Sequence, residues 1–283
     1  MAEIPVEQVR RAARGMKREA APWIEWLARI GYFARGVVYV VIAWMAAQAA
    51  LGKGHAEGPQ GALVEVFRQP FGKALLIALA VGLAGYALWR LVQALLDPEH
   101  KGTDAKGLAA RAGALVTGVF HAGLAVAAVR MAMGSGGPGG GDSQVRERTG
   151  TLMEQPAGPW LVGAVGLGIA AYGLRQIYRA WKADLGKRLD LSRMSPQSRP
   201  MFVAASRAGL AARGVVFCLI GFFLGRAALA ADPGEARALG GALESLRSAP
   251  YGPWLLGLVA LGLAGYGIFE MVKARYRIIR PPT

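Results

Sequence analysis

The 283-residue chain is predicted to be an all-α integral membrane protein, with six transmembrane helices forming three parallel two-helix hairpin repeats about a pseudo-threefold axis. Three observations predict this. The first is a pattern that recurs three times at fixed offsets: Arg-x-Gly, an apolar run, a polar loop, Pro-x-Gly, and a second apolar run ending in Gly-x-x-Gly/Ala-Tyr. It is carried by Arg29, Gly31, Gly36, Pro70, Gly72, Gly82, Gly85 and Tyr86, then by Arg111, Gly113, Gly118, Pro156, Gly158, Gly168 and Tyr172. The third copy has Arg207, Gly209, Gly214, Pro250, Gly252, Gly262, Gly265 and Tyr266. A repeat of this kind fixes the architecture before any other argument. The second observation is segregation: 54% of the residues are hydrophobic, yet the formal net charge is +15, because the charges lie between six apolar runs. The third is that the charges are unequally shared between the two ends of those runs.

Taken in order, residues 1–26 form a basic N-terminal arm that alternates apolar and basic residues. It reads either as an amphipathic helix on the inner leaflet or as a solvated, disordered arm. Repeat 1 spans 27–99, with helices at about 30–51 and 73–96. Repeat 2 spans 108–185, with helices at about 112–133 and 159–178. Repeat 3 spans 205–283, with helices at about 208–230 and 253–271, and ends in a short basic tail. A span needs about 20 apolar residues to cross about 30 Å of hydrocarbon. Gly and Ala fill these runs, which suits close helix packing. A soluble bundle would show a polar stripe at helical period, and the runs have almost none. Pro159 and Pro253 stand at helix starts, where the missing N–H costs nothing; the first copy has Lys73 there. Each hairpin returns the chain to the side it came from, so the repeats are parallel and inverted-repeat transporter folds are excluded. The glycine-rich stretch Gly134–Gly141 lacks the Lys-Ser/Thr ending of a phosphate loop and reads as a flexible outer linker.

Of the 33 basic residues, 24 fall on one side of the six runs and nine on the other. The Lys/Arg-rich side is expected to be cytoplasmic, which puts both termini inside. Trp160 and Trp254 are expected at the outer face, and Trp23, Trp26, Trp89 and Trp181 near the inner one; Trp44 lies within a run. The bilayer, with anionic lipid at the cytoplasmic face, explains the basic charge. Nucleic acid is excluded as a partner, because the basic clusters flank spans and no nucleic-acid motif is present. The first 29 residues lack the apolar core of a secretory signal. The single cysteine, Cys218, allows no disulfide within one chain.

The hairpin repeat, the Arg-x-Gly openings and the Gly-x-x-Gly/Ala-Tyr endings resemble those of bacterial membrane proteins with three tandem copies of domain of unknown function 1206. The resemblance covers about residues 27–278. It implies a six-span bundle in the bacterial inner membrane and no particular activity. The second copy departs from the pattern, with Thr117 in place of Arg35 and Arg213, and Ala171 in place of Gly85 and Gly265. Mitochondrial carriers also have three two-helix repeats, but their Pro-x-Asp/Glu-x-x-Lys/Arg signature is missing.

Ionisable residues inside a span are costly, and each is a candidate for function. Arg111 and Arg130 stand 19 residues apart, about 28 Å along a helix. They read as anchors at opposite interfaces, as do Arg207 with Arg226 and Arg29 with Gln48. Arg35 and Arg213 lie about 9 Å deeper than the opening arginines. Glu270, about 24 Å from the outer face, falls at nearly the same depth. Its column in the other copies holds Arg90 and Gln176, each four residues after the repeated tyrosine and so on one face with it. A polar layer of Arg35, Arg90, Arg213, Gln176, Glu270, Tyr86, Tyr172 and Tyr266 is therefore expected. It is either structural, with Glu270 paired to an Arg and the tyrosines capping carbonyls, or an anion site or gate. Gly82, Gly168 and Gly262 are expected to pack helices. His121, alone at mid-span, reads as a hydrogen-bonded packing residue, and with His55 and His100 in loops there is no haem pair. No catalytic residue, metal site or cofactor is expected. The reading is thus a non-enzymatic membrane scaffold or interaction protein. The alternative is channel- or transporter-like passage or binding of a small anion or solute through the polar layer. Small residues on the outer helix faces admit a homo-oligomer or a membrane-protein partner.

Overall fold

The computed structural model describes residues 6–135, 141–182 and 194–276, with the backbone alone for 6–24. Residues 1–5, part of the Gly134–Gly141 stretch, 183–193 and the basic tail at 277–283 lie outside the described residues. Nine α-helices make up the described fold: α1 (Val6–Ala50), α2 (Pro59–Arg68), α3 (Gly72–Leu95), α4 (Ala105–Ala132), α5 (Gly141–Met153), α6 (Gly158–Lys182), α7 (Ser198–Ala230), α8 (Leu239–Arg247) and α9 (Gly252–Tyr276). Six are long and apolar enough to cross a membrane: α3, α4, α6, α7, α9 and the Glu25–Ala50 part of α1. The chain is a multi-pass membrane protein. The helices outrun the apolar stretches of the sequence, because an apolar run marks only the hydrocarbon while the backbone ladder continues into the polar ends. The described part of the N-terminal arm is one continuous helix with the first span.

Each polar loop holds a short helix, α2, α5 or α8, that the apolar pattern did not announce. Each then enters the next span through the Pro-x-Gly turn. There the middle residue, not the glycine, is left-handed: Phe71, Ala157 and Tyr251 have φ of 62°, 61° and 59°. The glycine is required for space. A Cβ on Gly72, Gly158 or Gly252 would strike the carbonyl of Phe67, Leu152 or Arg247.

The six spans follow one another side by side in the order α4, α3, α1, α9, α7, α6, and the last, α6, hardly meets the first, α4. Two kinds of seam join them. Between copies, the third position of the opening motif packs on the backbone of the neighbouring copy. A Cβ on Gly36 would stand 2.7 Å from the Gly267 carbonyl, and one on Gly214 would stand 2.7 Å from that of Gly173. One on Gly118 would be 3.3 Å from that of Ala87, slightly looser because alanine stands there. The opening arginines brace the same seams: Arg29 Nη1 donates to the carbonyls of Ala274 (2.7 Å) and Arg275 (2.9 Å), and Arg111 to those of Ala94 (2.8 Å) and Leu95 (3.2 Å). These two satisfy carbonyls at the C-terminal end of a neighbouring helix, where a cation is also favoured by the helix dipole.

Within a hairpin the seam is different, and only two hairpins have it. A Cβ on Gly31 would stand 2.5 Å from the Tyr86 nitrogen, and one on Gly209 would meet that of Tyr266. Gly82 faces Ala34, and Gly262 faces Ala212. Gly85 and Gly265 lie where a Cβ would be 2.8 and 2.7 Å from the carbonyls of Leu27 and Ala205. In the second copy, none of the described residues comes within 4 Å of where a Cβ on Gly113 or Gly168 would stand. The expectation that Gly168 packs helices is therefore corrected. The physical reason is local: the counterpart of Ala34 and Ala212 is Val116, and Ala171 carries a Cβ where the other copies have the glycines that touch a carbonyl. Both changes add bulk at the crossing point, and α4 and α6 are the least buried of the six spans.

Trp89 also differs from expectation. It is 1% exposed and donates to the Tyr32 hydroxyl at 3.2 Å, so it is a core residue and not an interfacial one. Trp26, Trp44, Trp160, Trp181 and Trp254 are exposed.

Candidate functional site

Arg35 on α1 and Arg213 on α7 face the interior because their helices are held by glycine seams on two sides. Arg35 Nη1 donates to the Tyr86 hydroxyl at 2.5 Å and to Glu270 Oε2 at 3.2 Å. Lys273, one turn beyond Glu270, donates to Oε1 at 2.6 Å. Glu270 is 0% exposed and thus shared by two cations. Arg213 Nε donates to the Tyr39 hydroxyl at 3.1 Å, and its Nη1 to that of Tyr172 at 3.3 Å. The Tyr266 ring lies beneath both guanidinium groups, 5.5 Å from Arg35 and 5.0 Å from Arg213. Gln176 is buried and donates to the Tyr172 hydroxyl at 3.3 Å. Arg90 stands 5.4 Å from the Tyr86 ring and donates to Gln93, which donates to Glu99 at 2.8 Å. All eight residues singled out in the sequence thus meet in one layer. The tyrosine hydroxyls, expected to cap carbonyls, instead accept from arginine at Tyr86 and Tyr172.

The sequence reading missed a second ring of contacts. Position four after Arg35, Thr117 and Arg213 holds Tyr39, His121 and Phe217. Each stacks edge-on against the repeated tyrosine of the neighbouring copy: Tyr39 on Tyr266 at 4.7 Å, His121 on Tyr86 at 4.6 Å, and Phe217 on Tyr172 at 5.3 Å. The i,i+4 rule, applied to the arginine column as it was to the tyrosine column, would have found it. His121 is buried, with Nδ1 2.8 Å from the Thr117 carbonyl. It has the environment of a packing residue.

The layer floors a chamber of about 770 Å³, within the range of ligand pockets. The chamber occupies the space that a closed second hairpin would fill. Its α4 wall runs from Lys106 to Thr117, and its α6 wall from Tyr172 to Lys182. Along α4 this is about 17 Å at 1.5 Å per residue. Nine cations line it: Arg35, Arg90 and Arg213 in the layer, Arg175, Arg179 and Lys182 on α6, and Lys101, Lys106 and Lys273. The lining carboxylates are Glu99 and Asp104. Lys101 pairs with Glu99 at 3.4 Å, and Asp104 caps α4 by accepting from the Gly107 nitrogen. Among the described residues Arg213 Nη2 has no partner and no carboxylate pairs with Arg213, although the residue is only 6% exposed. The buried Arg35 Nε likewise has no hydrogen bond among them. The site is therefore a basic cavity whose deep end holds a guanidinium that no carboxylate among the described residues pairs with.

The family described as Domain of Unknown Function (DUF1206) matches this chain three times, at residues 30–97, 112–183 and 208–277. The chain is also similar to "Uncharacterized protein YxxB" of Bacillus subtilis strain 168, with 35% identity over 264 residues that cover 93% of this chain and 94% of that one. No solved structure matches the chain. The three matches coincide with the three copies of the opening-arginine, Pro-x-Gly and tyrosine pattern, and the chain is a member of the DUF1206 family with three tandem repeats.

Proposed function

We propose that this protein is a non-enzymatic binding protein of the bacterial cytoplasmic membrane, and that its chamber holds an anionic group against Arg213 and Arg35. The single observation that carries this reading is Arg213: a guanidinium 6% exposed, without a carboxylate partner among the described residues, at the deep end of a cavity lined by nine cations. An unpaired buried charge costs several kcal/mol, and an anion in the chamber removes that cost. The chamber lies at the end of the bundle where 24 of the 33 basic residues fall, and the Lys/Arg bias supports a cytoplasmic mouth and cytoplasmic termini. Because the chamber's walls end at Thr117 and Tyr172, binding is favoured over passage across the membrane. The scaffold reading is favoured by the tight glycine seams of the first and third hairpins, but it gives no role to the open second one.

The test is calorimetric titration of the detergent-purified full chain with inorganic phosphate, sulfate, a dicarboxylate and soluble glycerol phosphate. Wild type is compared with Arg213→Gln, each checked for helicity and monodispersity. Saturable binding of at least one anion, weakened about tenfold or more in the variant (about 1.4 kcal/mol or more), is expected. No binding by any of them, or equal binding in both proteins, overturns the reading.

A further inference from the structure

Resting on that reading, we infer that the anion is the phosphate-bearing headgroup of an acidic phospholipid, admitted sideways from the bilayer between α4 and α6. A soluble anion needs only a mouth in water. Among the described residues this chamber has in addition an open side, because α4 and α6 hardly touch and none of those residues comes within 4 Å of where a Cβ on Gly113 or Gly168 would stand.

The edges of that gap change character with depth. Near the basic end, α6 presents Arg175, Arg179 and Lys182, and α4 presents Lys106. Deeper in the membrane, on the helix faces that carry Gly113 and Gly168, the exposed residues are apolar: Phe120 on α4, Leu161 and Val165 on α6. The α4 positions facing the chamber are small: Ala109, Ala110, Gly113 and Thr117. Cations running inward from headgroup height, a narrow small-residue edge and an apolar surface below it match one molecule with a charged head and hydrocarbon tails. The phosphate would sit among Arg213, Arg175 and Arg179, and the acyl chains would leave through the gap along α4 and α6. Basic recesses between spans on the cytoplasmic side are a recurrent setting for anionic headgroups, and guanidinium groups suit phosphate oxygens geometrically.

Native mass spectrometry of the full chain, taken from detergent doped with equal phosphatidylglycerol and phosphatidylcholine, tests this, alongside titration with glycerol 3-phosphate. Wild type should retain about one phosphatidylglycerol per chain in preference to phosphatidylcholine. Arg213→Gln should lose it at least tenfold. The exposed pair Arg175→Gln/Arg179→Gln, which leaves the core intact, should weaken it severalfold. Gly168→Leu, which fills the gap from outside the chamber's lining, should lose the lipid while keeping glycerol phosphate. Three outcomes go against the inference. If phosphatidylglycerol is held no better than phosphatidylcholine, or equally by the variants, while glycerol phosphate binds with Arg213 dependence, the chamber takes a soluble anion and the lipid inference falls alone. If Gly168→Leu retains phosphatidylglycerol as wild type does, admission through the gap is wrong. If neither lipid nor glycerol phosphate binds, the inference and the anion-binding reading fall together.

Discussion

The second hairpin and its two sisters share one pattern and differ at a handful of positions. Those few differences separate a closed seam from an open chamber. In the first and third hairpins a glycine rests on the tyrosine backbone, an alanine faces a glycine, and a second glycine touches a carbonyl. In the second, Val116 and Ala171 stand at two of those positions, and Gly113 and Gly168 meet none of the described residues within 4 Å of where a Cβ would stand. The glycines that join one copy to the next are retained in all three, so the second copy stays attached to its neighbours while its own helices part. Close backbone approach is set residue by residue, because one methyl at a 2.7 Å contact cannot be absorbed when the opposing atom is main chain. A repeat protein can therefore build a cavity by substituting two positions in one copy.

The largest effect on this comparison should come from Glu270, whose column holds Gln176 in the open copy. Glu270→Gln leaves Arg35 and Lys273 without their shared carboxylate and should destabilise the fold by about 3–5 kcal/mol, read as a lowered melting midpoint in detergent. Adding Arg35→Gln should recover a large part of the loss. Gln176→Leu should cost less, about 1–3 kcal/mol for the Tyr172 hydroxyl and the Arg179 side chain left with one partner fewer. Next come the glycines. Gly31→Ala puts a Cβ 2.5 Å from the Tyr86 nitrogen and should cost about 1–3 kcal/mol. Gly113→Ala, at the same motif position, should be neutral or slightly stabilising through helix propensity. Equal effects at Gly31 and Gly113 would mean that the second hairpin is as closed as the others.

These residues also show what the sequence could and could not disclose. The six spans were legible because each needs only length and apolarity, and the repeat because its offsets are fixed. The polar layer was legible too: Glu270, Arg90 and Gln176 share a helix face with the tyrosines, and simple rise-per-residue arithmetic puts Arg35 and Arg213 at their depth. The open hairpin was not. Thr117 and Ala171 stood out as departures, but assigning Gly168 to packing presumed that every copy crosses in the same way. Val116 is silent in the sequence, because valine in an apolar run carries no signal until its counterparts are known to touch a glycine. Trp89 shows the same limit, since an indole near a helix end reads as interfacial unless its neighbours place Tyr32 beside it.

Reversing the departures should sharpen the comparison with a smaller effect. Val116→Ala with Ala171→Gly restores the residue types of the closed hairpins at the crossing point. Phosphatidylglycerol retention and glycerol phosphate binding should both fall severalfold while the melting midpoint holds or rises, since the added helix contacts offset the glycine penalty of about 1 kcal/mol. Unchanged binding would mean that the gap is held open by something other than these two side chains.

The smallest effect lies at the opposite end of the bundle, where the second copy is tied down. Asp142 at the start of α5 accepts from the Ala238 nitrogen at 2.6 Å, joining the second copy to the third. Glu57, just before α2, has its carboxyl raised above the usual value, first by burial and next by the Asp142 carboxylate, with Glu244 adding and His55 opposing. A raised carboxyl binds its proton more tightly in the fold than in the unfolded chain. The stability linked to it is therefore greatest at and below the ordinary value of 4.5 and is lost as pH rises through the shifted one. Lowering the pH towards 4.5 should give a small stabilising contribution at this clasp, seen as amide protection factors (exchange relative to the intrinsic rate at each pH) that rise in α5 and α8. Glu57→Gln should remove that pH dependence of the protection factors and keep them high at neutral pH. If the second hairpin splays from this clasp as from a fixed end, the same variant should leave lipid retention at the basic end unchanged. A coupled change in both would mean that the clasp and the gap open together.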